Sequence, residues 1–101
     1  MAEIIWTDNA LMDLNGIAEY IAVHNLPAAK NLVDAVFTAV ARLAQHPESG
    51  RIVPEVAHLY YREVILKPCR IFYKYENERV FILYVMRQER ELRQVMLTEH
   101  P

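Results

Sequence analysis

The sequence predicts an α+β domain with the element order β-α-α-β-β-β, in which an antiparallel sheet carries a helical hairpin on one face. Two observations predict this class. Apolar residues recur three or four positions apart over residues 8–24 and 27–45, as on one face of a helix. Residues 70–76 alternate apolar and polar side chains, and residues 79–85 are almost continuously apolar, as in two paired strands. Because no linker, repeat or low-complexity segment divides the chain, we expect residues 1–101 to form a single domain.

The N-terminal half predicts a strand followed by two helices. Residues 3–6 are apolar and β-branched, and they precede the run TDN, which favours a helix N-terminus. Gly16 interrupts the first helix at a cost of about 1 kcal/mol relative to alanine, so we expect a neighbouring element to approach closely there. Pro27 suits the first turn of the second helix, and the breaker cluster at residues 46–50 ends it.

The C-terminal half predicts three strands. Residues 51–58 form a connection, in which Pro54 argues against a central strand. Residues 60–66 are the next strand, and residues 70–86 form a hairpin around a short polar turn. Residues 87–97 are rich in Glu, Arg, Gln and Leu, which indicates a short terminal helix or a loosely ordered tail.

Composition narrows the classes of protein and of chemistry. The chain of 101 residues is 53% hydrophobic and has neither an apolar run of about 20 residues nor a signal peptide, so we expect a cytoplasmic protein without a membrane span. Its single cysteine, Cys69, excludes an internal disulfide. The four histidines share no ligand spacing, and the sequence has no glycine-rich phosphate loop, so we predict no metal and no cofactor.

Basic residues concentrate in the strand-rich half. Residues 1–59 carry 3 Lys or Arg and 7 Asp or Glu, whereas residues 60–93 carry 8 and 5. Arginines grip phosphates and tyrosines stack on bases, so these strands could form a surface for nucleic acid. The alternative is that these side chains are the polar faces of half-exposed strands together with core tyrosines. The residues concerned are Tyr60, Tyr61, Arg62, Arg70, Tyr73, Lys74, Tyr84, Arg87 and Arg90.

Nearly the whole chain resembles a known family. The ordered set W-T-x-x-A-x-x-D-L, P-x-x-G-R, Y-R, R-I-F-Y and V-x-R-x-x-R is similar to the ParE/RelE superfamily of bacterial type II toxin–antitoxin toxins, and most like its ParE branch. The resemblance implies the fold predicted above and a small toxin neutralised by a dedicated antitoxin. The antitoxin is expected to lay a helix on the helical hairpin and often a strand on the sheet edge. The residues expected to receive it are Leu11, Ile21, Val33 and Phe37.

The resemblance leaves the target open between two classes. ParE-type members poison DNA gyrase, and RelE-type members cleave mRNA in the ribosome. In the nuclease alternative, the expected catalytic residues are Arg62, Arg70, Lys74 and Arg87, with Lys67 as a second candidate lysine. Met86 stands where many relatives have histidine, and a thioether cannot exchange a proton.

The sequence therefore predicts a gyrase-directed toxin, with Arg87, Arg90 and Arg93 as target-binding residues within a contact surface at residues 88–97. A ribosome-dependent mRNA endonuclease and an inactive, antitoxin-binding family member are the alternatives. We expect either a homodimer or a toxin–antitoxin hetero-oligomer.

Overall fold

The computed structural model describes residues 1–90, which fold into a five-stranded sheet with two helices on one face. The elements are strand β1 (Glu3–Trp6), helices α1 (Asp8–Ala22) and α2 (Leu26–Ala41), and strands β2 (Arg51–Ile52), β3 (Arg62–Leu66), β4 (Cys69–Glu76) and β5 (Arg79–Arg87). Short 3-10 segments cover Arg42–Ala44 and Pro54–Leu59. The predicted α+β class with a helical hairpin is confirmed.

Both helices begin at side-chain caps. Thr7 accepts a hydrogen bond from the Ala10 backbone N–H, and Asn25 accepts one from that of Ala28. Gly16 has nothing within 4 Å of the place where a Cβ would stand, so the predicted close approach at this glycine is wrong for the described part of the chain. Over residues 1–90, no helix is long and apolar enough to cross a membrane.

The sheet has the order β1-β5-β4-β3-β2 and contains one parallel pair. Strands β3, β4 and β5 pair antiparallel, as predicted. Strand β2, which was not predicted, also pairs antiparallel with β3. Strand β1 instead pairs parallel with β5, from Glu3 opposite Arg79 to Trp6 opposite Ile82. The helical hairpin carries the chain across the sheet to the far edge, and the meander that returns brings its last strand beside the first.

The stretch between α2 and β3 holds more structure than the predicted connection. Strand β2 forms a two-residue edge, and Pro54–Leu59 then folds over the sheet; we call Pro54–Leu59 the cover segment. Tyr60 follows in the left-handed conformation with φ 61°. Because this conformation breaks an extended backbone, β3 begins at Arg62 and not at the predicted residue 60.

The hairpin of β4 and β5 closes through a two-residue turn in which Asn77 and Glu78 both have positive φ, at 52° and 61°. This is the geometry of a type I′ turn, reached without the usual glycine. Strand β5 continues to Arg87, and residues 88–90 form a turn and a bend, so the terminal segment predicted as a short helix or a loosely ordered tail does not begin as a helix. Residues 91–97 of that segment, including Arg93, lie outside the described residues.

Apolar side chains fill both faces of the sheet. On the helix face, residues of α1 and α2 pack with Ile71, Tyr73 and Ile82. On the opposite face a smaller core lies beneath the cover segment. A β-bulge between Phe72 and Tyr73 locally shifts the pairing of β4 with β5.

Helix α1 also protects the edge of β5 beyond the point where β1 ends. Thr7 donates to the backbone oxygen of Ile82 at 2.7 Å, and Oδ2 of Asp13 accepts the Val85 backbone N–H at 3.1 Å. Burial raises the pKa of Asp13, and the hydrogen bond from Val85 opposes that shift in part. The half-buried carboxyl therefore accepts a hydrogen bond from a backbone N–H group, but its burial costs free energy when the carboxyl is ionised.

Candidate functional site

Arg70 lies on the sheet face away from the helices, where two carboxylates hold it. Its Nε donates to Oε1 of Glu63 at 2.6 Å, and its terminal nitrogens donate to both carboxylate oxygens of Glu55 at 2.8 and 2.9 Å. Hydrogen bonding to Glu55 raises the pKa of Arg70, and the same contact lowers the pKa of Glu55. Arg70 is 8% exposed, so both its charge and its fork of donors are engaged within the protein.

Glu63 joins a second arginine to this arrangement. Its other carboxylate oxygen accepts from Nε of Arg51 at 2.7 Å, and its side chain is fully buried. A buried carboxylate needs such compensation, because leaving one partner unpaired is costly. Arg51, Glu55, Glu63 and Arg70 thus form a chain of alternating charges, which we call the arginine–glutamate cluster.

The cover segment closes the sheet face beside Arg70. Val56 from this segment packs with buried Phe72, Leu83 and Met86 of the sheet. Met86 is 7% exposed and serves as a core residue. A phosphate group could reach Arg70 only if Glu55 gave up its place.

The two candidate lysines lie in different surroundings. Nζ of Lys74 lies 5.3 Å from the ring centroid of Phe81 and 3.4 Å from a carboxylate oxygen of Glu76. Contact with Phe81 places it on the same sheet face as Arg70. Lys67 is exposed in the turn between β3 and β4.

Arg87 points to the helix side of the sheet. Its guanidinium lies 4.7 Å from the ring centroid of Tyr20 on α1, and it pairs with Glu89. Arg90 is exposed just beyond β5. Two of the three predicted target-binding arginines, Arg87 and Arg90, therefore lie at an exposed corner where the sheet meets α1.

Arg62 has a structural position at the other end of the sheet. Its Nη1 donates to the backbone oxygens of Glu48 and Gly50 at 3.0 and 2.8 Å, which holds the loop before β2. Arg62 holds this loop, Arg70 is clamped by carboxylates, and Arg87 faces α1. Three of the four predicted catalytic residues are therefore not brought together at one site.

The helical hairpin carries an open groove of about 380 Å³. Small and apolar side chains form most of it, and charged residues of both signs stand at its rim. The lining residues are Ala18, Glu19, Ala22, Leu26, Ala29, Lys30, Val33 and Asp34. Such a channel has the shape and polarity to receive one face of an amphipathic helix.

The predicted antitoxin-binding residues divide between this groove and its surroundings. Val33 lines the groove. Leu11 and Phe37 are exposed, and the ring of Phe37 also packs 4.8 Å from that of Trp6. Ile21 is half-buried and packs against the core on the helix face.

Sequence reasoning missed several large apolar side chains that the helices expose. Met12, Tyr20, Val23 and Leu26 are all more than half exposed. These residues fall outside the apolar stripe by which the helices were predicted. Large apolar side chains at positions expected to be polar were the signal in the sequence for an exposed apolar surface.

Within residues 1–90, no three His, Cys, Asp or Glu side chains lie close enough together to hold a metal ion. The cluster around Arg70 contains only two carboxylates, and both are already paired with arginines.

Comparisons with known proteins agree with this architecture. Residues 4–92 match the family model described as the ParE toxin of the type II toxin–antitoxin system parDE. Toxin RelE2 of Caulobacter vibrioides is 37% identical over 68 residues, which cover 67% of this chain and 73% of that protein. A solved structure described as the chromosomal ParDE TA system from P. aeruginosa superposes with a TM-score of 0.72 at 25% identity, covering 88% of this chain and 98% of the matched one. The chain therefore belongs to the ParE family of type II toxin–antitoxin toxins.

Proposed function

We propose that this toxin stops growth by binding DNA gyrase through protein–protein contacts, and that a cognate antitoxin keeps it silent. Action by binding, and not by RNA cleavage, is supported by one observation: the guanidinium of Arg70 is already held by carboxylates of the same chain. Arg70, one of the residues that the resemblance implies would grip a scissile phosphate, is clamped by Glu55 and Glu63 and lies next to a closed apolar layer. A binding toxin needs no free phosphate clamp, whereas a nuclease does.

The absence of a proton-transferring group at Met86 supports the same choice. General acid–base cleavage of RNA requires side chains that gain and lose a proton near the reacting atoms. On the face that holds Arg70, the buried side chains Phe72, Leu83 and Met86 are apolar, and the hydroxyl-bearing side chains that pack against them are Tyr61 and Tyr84. Lys74 pairs with Glu76, away from the predicted partner arginines Arg62 and Arg87.

The exposed corner at Arg87 and Arg90 is the proposed contact with gyrase. Arg87 retains partial exposure and stacks on Tyr20, which is 62% exposed. Arginine and tyrosine are the residue types that dominate binding energy at protein interfaces. Arg93 and the rest of the predicted surface at residues 88–97 continue from this corner along the chain.

The groove on the helical hairpin is the proposed seat of the antitoxin. An amphipathic helix with small apolar residues toward Ala18, Ala22 and Ala29 would bury the exposed Leu26. The ParDE description of the similar solved structure supports a toxin–antitoxin assembly for this chain as well. Action on gyrase places the toxin in the cytoplasm.

Induction of the chain in bacteria without its antitoxin tests the proposal. We expect growth arrest with DNA-damage signalling and gyrase trapped on cleaved DNA. The double variant Arg87→Ala/Arg90→Ala should lose this effect, and Arg79→Ala, a matched arginine at the opposite end of β5, should keep it. Cleaved mRNA without DNA damage would establish the endonuclease alternative, and undisturbed growth would indicate an inactive family member.

A further inference from the structure

Gly16 lies near the middle of α1, at a place where nothing in the described part of the chain requires a glycine. Glycine weakens a helix interior relative to alanine, because its backbone loses more conformational freedom on folding. Apart from the adjoining residues and the backbone of α1 itself, no atom of residues 1–90 lies within 4 Å of the point where a Cβ of Gly16 would stand. Its φ is not positive either. Neither crowding within residues 1–90 nor a special backbone conformation therefore explains the residue.

Exposed apolar side chains flank this glycine along the outer surface of α1. Met12 lies one helical turn before Gly16, Tyr20 lies one turn after it, and Val23 continues the same row. All three side chains are more than half exposed. We call Met12, Gly16, Tyr20 and Val23 the outer ridge. A ridge of large side chains with a gap at its centre lets a second helix approach closely, since the distance between helix axes depends on the side chains at the crossing point.

The outer ridge adjoins the corner at Arg87 and Arg90. The guanidinium of Arg87 lies 4.7 Å from the ring centroid of Tyr20, so Tyr20 belongs to both surfaces. The groove of the helical hairpin is lined from α1 by Ala18, Glu19 and Ala22, and no residue of the outer ridge is part of it. The outer ridge is therefore continuous with the proposed gyrase contact and separate from the proposed seat of the antitoxin.

A second copy of the chain is a poor match for the outer ridge. If two α1 helices crossed antiparallel about a twofold axis at Gly16, residues 12 and 20 would meet across the axis. The same symmetry would bring Asp13 of each copy opposite Glu19 of the other. Carboxylates that face one another across an interface repel, and this repulsion disfavours the pairing.

We propose that Gly16 is a target-contact residue, at which a helix of gyrase crosses α1 between Met12 and Tyr20. The inference rests on the proposed function and deepens it, since the outer ridge adds an apolar contact to the arginines of the corner. Without a side chain at the crossing point, the two helix backbones come closer than any other residue would allow. Glycine at this position therefore weakens the free chain and strengthens the bound state.

Thermal unfolding and gyrase binding, measured on the same variants, test this inference. Gly16→Ala should raise the thermal midpoint of the free chain by about 4 °C, because helix propensity improves and the methyl group enters open space. The same variant should bind purified gyrase about tenfold more weakly in surface plasmon resonance, because the methyl group overpacks the crossing point. Gly16→Leu should weaken binding further. Asn15→Ala, an exposed position of α1 outside the outer ridge, also gains helix propensity and should keep the parent Kd.

The possible failures of the inference and of the proposed function give different results. Equal gyrase binding by the parent chain and Gly16→Leu would overturn the inference alone, whereas gyrase that does not bind the parent chain would overturn both. A thermal midpoint that falls in Gly16→Ala would show that the chain itself fills the space beside Gly16.

Two other occupants of the outer ridge are distinguished by Gly16→Leu. Loss of binding to the cognate antitoxin with unchanged gyrase binding would assign the outer ridge to the antitoxin. Self-association of the parent chain in analytical ultracentrifugation that Gly16→Leu abolishes, again with unchanged gyrase binding, would assign it to a second copy. Either result overturns the inference.

Discussion

Arg70→Met distinguishes a structural arginine from a catalytic one. The substitution removes one of the two partners of Glu63, whose side chain is fully buried. Breaking a buried ion pair by removing one partner costs about 3–5 kcal/mol, which is a large part of the stability of a small domain. Arg51 still holds the other oxygen of Glu63, so we expect a loss near the lower end, about 3 kcal/mol.

A second substitution should recover this loss. In Arg70→Met/Glu63→Leu both buried charges are replaced by apolar side chains of similar size, an exchange that is often neutral or stabilising. The two outer members of the cluster tolerate it, because the side chains of Arg51 and Glu55 are 57% and 43% exposed and become solvated. The free energy of unfolding should return to within about 1 kcal/mol of the parent.

Urea unfolding followed by circular dichroism, together with growth after induction, measures both properties. The single variant should be less stable and less toxic, and the double variant should regain stability and toxicity together. A double variant that is as stable as the parent but harmless would refute the structural role and return Arg70 to the chemistry of the site.

Gly50→Ala should destabilise the fold by about 1–3 kcal/mol in urea unfolding, because overpacking of a rigid site costs this order of energy. The new Cβ would lie 2.6 Å from the Tyr73 hydroxyl and 2.7 Å from the Glu63 backbone oxygen. A stability equal to the parent would show that the loop relaxes freely. Asp13→Asn should stabilise the fold at neutral pH, since the amide oxygen can still accept from Val85 without burying a charge. Burial raises the pKa of Asp13 in the folded state, so ionisation costs stability as pH rises above the unfolded value of 3.8. The advantage of asparagine should therefore shrink on acidification, and an advantage independent of pH would contradict this cause.

Periodicity predicted the helices, the meander and the core faces, because burial on one side of an element is written into the spacing of its apolar residues. It could not predict that β1 joins β5 in parallel, since pairing partners far apart in sequence depend on the path of the helical hairpin. Periodicity could not predict that Gly16 is exposed either, because a glycine that permits close packing and one that faces solvent look alike in a single sequence.

In the candidate site, too, some features could be predicted from the sequence and others could not. The resemblance implies a catalytic Arg70 in the nuclease alternative, but the contacts of this residue depend on Glu55, which the cover segment brings over the sheet. That contact rests on a short 3-10 segment that carries no periodic signal. The turn at Asn77 and Glu78 was located without the glycine that usually marks it, because the two flanking strands were clear.

DNA cleavage by purified gyrase in the presence of the purified chain tests the central claim most directly. We expect cleaved DNA to accumulate with the parent chain and with Arg70→Met/Glu63→Leu, and not with Arg87→Ala/Arg90→Ala. Gyrase that remains unaffected, while ribosomes programmed with mRNA yield cleaved message on addition of the same chain, would contradict the claim.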